Sequence, residues 1–177
     1  QMARERHPIP RWIVVGAGTG GTSATIGRYV RYQRHATQVC VPDPVGSVFG
    51  QYHRTGDLTL TDVGSRIEGI GRPRVEPSFM RTLIDRMMDV PNVDSVAAMR
   101  VLSSLLGRRV GPSTGTNFIG MLTLASEMRT AKQQGSILSL LCDSGERYLP
   151  TYHDAAWVEK SFGDCSAAEE RIRALLA

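Results

Sequence analysis

The patterning of this chain predicts an α/β fold: a parallel sheet with helices on both faces. Three observations predict it. Short apolar runs of strand length, at residues 12–15, 37–41 and 136–141, recur along the chain. Between them lie stretches with helical spacing, such as Ile26, Tyr29 and Val30, or Ile119, Leu122, Ala125 and Met128. Glycine-rich segments follow the apolar runs, where a strand turns into a helix.

The elements follow in order. Residues 3–6 read as the end of a helix stopped by Pro8 and Pro10. Residues 12–15 form a buried strand, the sequence GAGTGG a loop, and residues 22–32 a helix. A second strand spans 37–41 and is ended by Pro42, Asp43 and Pro44. Residues 44–66 have little periodicity and many Gly, Thr and Asp. They are expected to form a long functional or interfacial loop, with at most a short strand. Ser78 is expected to cap a helix through Met88, with Phe79, Leu83 and Met87 on one face. Asp94 caps another helix through Leu106, closed by Gly107. Arg109 and Val110 form a short strand, GPSTGTN a second glycine loop, and a long helix runs from about Thr116 to Gln134, ended by Gly135. Residues 136–141 form a strand that leads into the loop CDSGERYLP. Ser166 and Glu169 form a capping box for a last helix. In a parallel sheet, segments 16–22, 111–117 and 142–148 would meet at the carboxyl edge, where ligands bind.

Composition narrows the function. With 177 residues and 41% hydrophobic content the chain can bury a core of ordinary size. The net charge is +4, and 19 of the 21 basic residues are arginine, but they are scattered. That argues for a solvated basic surface and against a nucleic-acid partner. The three cysteines have no CxxC spacing, and Cys40 and Cys142 lie in apolar runs, as reduced core residues would. No apolar stretch is long enough to cross a membrane and no signal peptide is visible, so a cytoplasmic protein is expected. His7, His35, His53 and His153 have no metal-ligand spacing, so no metal is expected; His53 reads as a solvated loop residue. The start QMARERHPIP lacks a methionine and reads like a helix cut upstream, so the chain is expected to be a fragment.

Gly16, Gly18 and Gly21 match the dinucleotide fingerprint GxGxxG, with Asp43 near where a ribose-binding acid belongs. The compact core is instead GTGGT, Gly18, Thr19, Gly20, Gly21 and Thr22. Two threonine hydroxyls beside glycine amides at a helix start suit a single terminal phosphate. The second segment, from Gly111 to Gly115, matches the GxSxG nucleophile elbow, and Asp143 and His153 follow in hydrolase order. A serine hydrolase using Ser113 is therefore an alternative. It leaves GTGGT unexplained, no oxyanion loop of the HGG type is present, and Ser113 could simply be a helix cap.

In order and spacing, GTGGT, IEGIG (67–71), GPSTGT and LLCDSGERYL together resemble the cysteine synthase/cystathionine β-synthase family, pyridoxal-phosphate enzymes of fold type II. The loops are most similar to its bacterial L-cysteine desulfhydrase branch. The resemblance implies that residues 18–22 bind the phosphate of pyridoxal 5'-phosphate. It implies that Ser113 bonds the pyridine nitrogen, that Asp143 lies beside that nitrogen, and that Gly69 lies near the substrate amine. It further implies β-elimination of sulfide from L-cysteine to give pyruvate, ammonia and hydrogen sulfide, with cysteine synthesis by β-replacement as the nearest alternative. A small amino-acid substrate and a homodimer are implied as partners.

The chain departs from the family in one respect that bears on catalysis. The family's Schiff-base lysine lies well upstream of GTGGT, where only 17 residues precede the loop here, and Lys132 and Lys160 do not follow the family pattern. No catalytic residue is therefore expected within the chain. Residues 1–155 would be the large cofactor-binding domain without its smaller upstream domain, and 156–177 a helical extension. Arg72 and Arg74 follow GIG where the family has small residues, and could favour an anionic substrate or partner at the pocket mouth or simply face solvent.

Overall fold

The computed structural model describes residues 6–176; the expected helix over 3–6 lies largely outside them. Four parallel strands stand in the order β3-β2-β1-β4: β1 (Trp12–Val14), β2 (Gln38–Pro44), β3 (Arg86–Val90) and β4 (Ile137–Ser139). Side chains alternate across the sheet as a pleat requires. Val14 and Cys40 pack with Leu124 on one face, while Val15, Val39 and Val41 pack with Phe49 and Phe79 on the other. The expected parallel sheet covered on both faces is present.

Strand β2 does not stop at Val41 but runs through Pro42 and Pro44. The reason lies in which way its amides point. Gln38 donates toward β1, to the Arg11 carbonyl, and Val39 donates the other way, to the Asp85 carboxylate. Residues 42 and 44 share the orientation of Gln38, and β1 has already ended at Val14. A proline there removes no ladder bond.

Helix α1 (Gly21–Tyr32) buries Ser23, Ala24, Gly27 and Val30. Gly27 lets it approach Leu83, where a Cβ would come within 2.7 Å of the leucine Cβ. Helix α2 (Phe49–Thr55) lies inside the expected loop. Its seven residues are too few for a period to show in the sequence, and it is held by Phe49 stacking on Phe79 at 4.3 Å. The helix expected over 78–88 is absent. Residues Arg81–Leu83 form a single 3-10 turn, and Arg86–Val90 pair with β2 as a strand. Tertiary pairing overrides the helical preference of the two methionines. Phe79, read as part of a helical face, plugs the core beneath the glycine loop instead.

Helix α3 (Asn92–Leu106) begins after Pro91, with Asp94 in its first turn and left-handed Gly107 at its end. Helix α4 (Pro112–Thr130) corrects another expectation. GPSTGTN is not a loop: Gly111 precedes the helix, Pro112 occupies its first turn, where a missing N–H costs nothing, and Ser113 is already helical. Gly120 lets α4 lie on the sheet, with a Cβ there 2.9 Å from the Val14 side chain. Arg109 and Val110 form no strand; Val110 makes one antiparallel bridge to Ser144.

Two helices end the chain, α5 (Ala155–Phe162) and α6 (Ser166–Leu176). The Ser166 capping box is not formed. Asp164 accepts from the Ser166 amide and hydroxyl, and Glu169 faces Arg100 at 3.6 Å. Val158, Cys165, Ala168 and Ile172 share one buried cluster with α3, Ile67 and Ile70.

Candidate functional site

The loop after β1 is shaped by contacts on both sides. The Gly16 amide donates to the Asn117 side chain at 2.7 Å, so α4 holds the end of β1. At Gly18 a Cβ would stand 2.6 Å from the Gly69 carbonyl. Gly20 is left-handed, with φ of 91°, and a Cβ there would meet the Phe79 backbone. Only glycine fits these two places. The loop delivers the chain to the N-terminus of α1, which has no side-chain cap and no acidic residue in its first turn. Free amides at the positive end of a 12-residue helix form an anion site.

Glycines and helix start open onto a cavity of about 430 Å³, a size that suits a small molecule. Gly18, Thr19, Gly20, Gly21, Thr22, Gly69, Ser113 and Asp143 all line it, so the sequence-selected site residues come together at one place. They do so at the carboxyl edge of the sheet, as expected, with the start of α4 taking the place of a second loop. Ile70, Leu140 and Cys142 also line the cavity.

Ser113 is 4% exposed, and no hydrogen bond among the described residues engages its hydroxyl. A hydroxyl without a protein partner at a cavity wall is available to a ligand. Its neighbour Thr114 is used structurally, accepting from the Cys142 amide at 2.9 Å. Asp143 accepts from the Tyr148 hydroxyl at 2.8 Å and from Arg147 at 3.3 Å. Burial, then the Asp143 carboxylate, pushes the Tyr148 phenol up, so it stays a donor at neutral pH.

Sequence reasoning gave Asn117 no role. The signal was its place four residues after Ser113 on the same helical face. At 1% exposure it is a buried amide whose oxygen is spent on Gly16.

Several expectations change. The hydrolase relay is not assembled, because Asp143 is engaged by Tyr148 and Arg147, while His153 Nε2 meets the Val110 carbonyl at 3.0 Å. Cys142 is exposed at the cavity rather than in the core, whereas Cys40 is buried, and burial pushes its thiol up to about 12. His53 is half-buried in α2 against the Ile84 carbonyl, not solvated in a loop. Neither Lys132 nor Lys160 lines the cavity, nor do Arg72 and Arg74, the latter lying beside Glu76 at 3.6 Å. Among the described residues no His, Cys, Asp or Glu cluster could hold a metal.

Asp43 does not face the cavity and so cannot meet a ribose there. It is 3% exposed and accepts from the Gly50 amide at 2.8 Å, while its Oδ1 has no partner. Burial pushes this carboxyl up to about 6 against the pull of the Ser47 hydroxyl and the Gly50 amide. The unfolded chain ionises it near ~3.9. The folded state therefore holds the extra proton between the two values. Its stabilising effect is full below pH ~4 and is lost as pH rises through about 6. Two pH units correspond to roughly 3 kcal/mol. Asp43→Asn is expected to flatten this decline, which calorimetric melting of both proteins between pH 4 and 7 reads; parallel profiles would exclude Asp43 as its source.

Comparison with known proteins follows the same lines. The model of the family described as "Pyridoxal-phosphate dependent enzyme" matches residues 1–143. The chain is 57% identical over 159 residues to the L-cysteine desulfhydrase Cds1 of Mycobacterium tuberculosis, covering 89% of this chain and 43% of that one. It is 31% identical to the cystathionine beta-synthase of Saccharomyces cerevisiae, over 85% of this chain and 29% of that one. To cysteine synthase 2 of Schizosaccharomyces pombe it is 30% identical, over 83% and 40%. The chain thus spans less than half the length of these relatives. The crystal structure of an O-ureido-L-serine synthase shares the fold, with a TM-score of 0.68 at 23% identity, over 92% of this chain and 47% of that one.

Proposed function

This chain belongs to the pyridoxal-phosphate dependent enzyme family, and we propose that it forms the cofactor-holding part of a lyase that releases sulfide from L-cysteine, leaving pyruvate and ammonia. The observation that carries this is one cavity with an uncapped helix start at one end and the partnerless Ser113 hydroxyl on its wall. These residues fit the cofactor. The amides of residues 20–22 and the hydroxyls of Thr19 and Thr22 would hold its phosphate. Ser113 would meet the pyridine nitrogen, with Asp143 beside it, and Gly69 would lie next to the substrate amine. When bound, the cofactor withdraws electrons from the bonds at the substrate Cα. A neutral hydroxyl at the ring nitrogen does not force that nitrogen to stay protonated, as a carboxylate would, and the milder sink suits elimination at Cβ.

Cysteine as substrate is supported by the relative named L-cysteine desulfhydrase. The relative named cysteine synthase 2 supports the second reading, β-replacement by sulfide. We read residues 1–155 as the cofactor-binding domain and 156–177 as its helical extension. The lysine that binds the cofactor aldehyde would come from outside residues 1–177. A homodimer in the cytoplasm belongs to the same proposal; the three free cysteines fit a reducing compartment.

The test is product analysis with the full-length protein, pyridoxal phosphate and L-cysteine. Equal amounts of sulfide and pyruvate are expected. Consumption of sulfide and an activated serine without pyruvate would favour the synthase. Borohydride reduction of the loaded protein should place the pyridoxyl group on a lysine outside residues 1–177, and full labelling of Lys132 or Lys160 would contradict this. Ser113→Ala is expected to weaken cofactor binding by ~3–10-fold, the worth of one net hydrogen bond, as read by fluorescence titration.

A further inference from the structure

We propose that Tyr152 is a positioning residue that holds the segment presenting Gly69 to the cavity, and that it thereby sets how tightly the amino-acid substrate is bound. This rests on the reading of Gly69 as the substrate-side position. Tyr152 does not line the cavity itself. Its hydroxyl donates to the Arg66 carbonyl at 2.7 Å and accepts from the Glu68 amide at 3.1 Å. One hydroxyl therefore grips the backbone on both sides of Ile67, which is 1% exposed. Tyr152 is itself 6% exposed and fixed by aromatic neighbours: Tyr148 edge-on at 5.5 Å, Trp157 at 5.0 Å and Phe162 at 5.9 Å. The Arg66 guanidinium lies over the Phe162 ring at 4.8 Å, so α5 buttresses the same segment.

Beyond Glu68 the next backbone hydrogen bond among the described residues is at Gly71, whose amide donates to the Ala17 carbonyl in the first glycine loop, with the Ile70 side chain buried in the core beside it. Gly69 between them is left-handed, with φ of 89°, and a Cβ there would meet nothing within 4 Å. It faces open space, and where it stands depends on the anchors at either side. A second link joins Arg147 to Glu68 at 3.1 Å and to Asp143 at 3.3 Å. These are exposed ion pairs, which contribute little. The Tyr152 hydroxyl is the stronger anchor, because it makes two part-buried hydrogen bonds to the backbone and losing it removes both at once.

Tyr152→Phe keeps the ring and removes only the grip. In the full-length, cofactor-loaded protein, amide hydrogen exchange at Glu68 is expected to accelerate by ~10-fold or more. KM for L-cysteine should rise by a similar factor, with kcat within ~3-fold and cofactor affinity unchanged. Unaltered exchange at Glu68 would overturn the inference. So would faster exchange with unaltered KM, the outcome of a purely structural role in which only the melting temperature falls. A wild-type protein that releases no sulfide would refute the lyase reading instead. The exchange comparison needs no turnover and would still decide whether Tyr152 holds the segment.

Discussion

Gly20→Ala is expected to weaken pyridoxal-phosphate binding by more than ~100-fold and to destabilise the fold by roughly 2–5 kcal/mol. Two costs add. The residue is left-handed at φ of 91°, and the new methyl would stand 2.5 Å from the Phe79 Cα and 2.8 Å from its amide nitrogen. Those are backbone atoms, and Phe79 is pinned by its stack on Phe49, so the glycine loop would have to give way. The loop is what aims the first amides of α1 at the cavity. Gly21→Ala is the control. It lines the same cavity, but a Cβ there meets nothing within 4 Å and its φ is not in the left-handed region. It should melt within ~1 kcal/mol of wild type. Melting temperature and cofactor titration of the two variants check the contrast. Equal melting of both would show that the Phe79 contact does not constrain the loop.

Gly115→Ala is expected to cost most in stability, ~3 kcal/mol or more, enough to unfold a marginal domain. Helices α3 and α4 touch here backbone to backbone. A methyl on Gly115 would overlap the Ser95 carbonyl and stand 2.7 Å from the Met99 amide nitrogen. Ser95 cannot retreat easily: it is fully buried and its hydroxyl is bonded to Thr116 at 2.8 Å. Because Ser113 lies half a turn away, any escape of α4 from α3 also moves the hydroxyl at the cavity wall. Urea denaturation measures the loss, and a midpoint within error of wild type would rule out the close approach.

How much was legible in the sequence depends on the range of the interactions involved. Helices α1, α3 and α4 are legible as helices from their spacing, caps and breakers, but the buried face is not read in full: Tyr29 and Ala125, placed on inner faces by their spacing, are exposed, while α1 packs through Ser23, Ala24, Gly27 and Val30. Strand β3 does not show, since Ser78, Phe79 and Met87 imitate a capped helix and only pairing with β2, more than forty residues earlier, makes it a strand. GPSTGTN reads as a loop by its glycines, yet Gly115 is small for a neighbour's sake and Gly111 alone marks a boundary. Of the cavity, the residues on glycine-rich motifs were named from sequence. Asn117 and Tyr152, which hold neighbouring segments without lining the cavity, were not, because their bonds reach across 101 and 84 residues. The fold's largest departure from expectation near the site, Cys142 facing the cavity, has the same cause: its apolar run ends at the sheet edge instead of entering the core.

We propose that residues 18–22 hold the phosphate of pyridoxal phosphate. Amide hydrogen exchange of the full-length protein, followed peptide by peptide with pyridoxal phosphate and with pyridoxal, tests it most directly. The expected result is strong protection of the Gly20–Thr22 amides by pyridoxal phosphate and little by pyridoxal, which lacks the phosphate. Equal protection by both, or by neither, would contradict it.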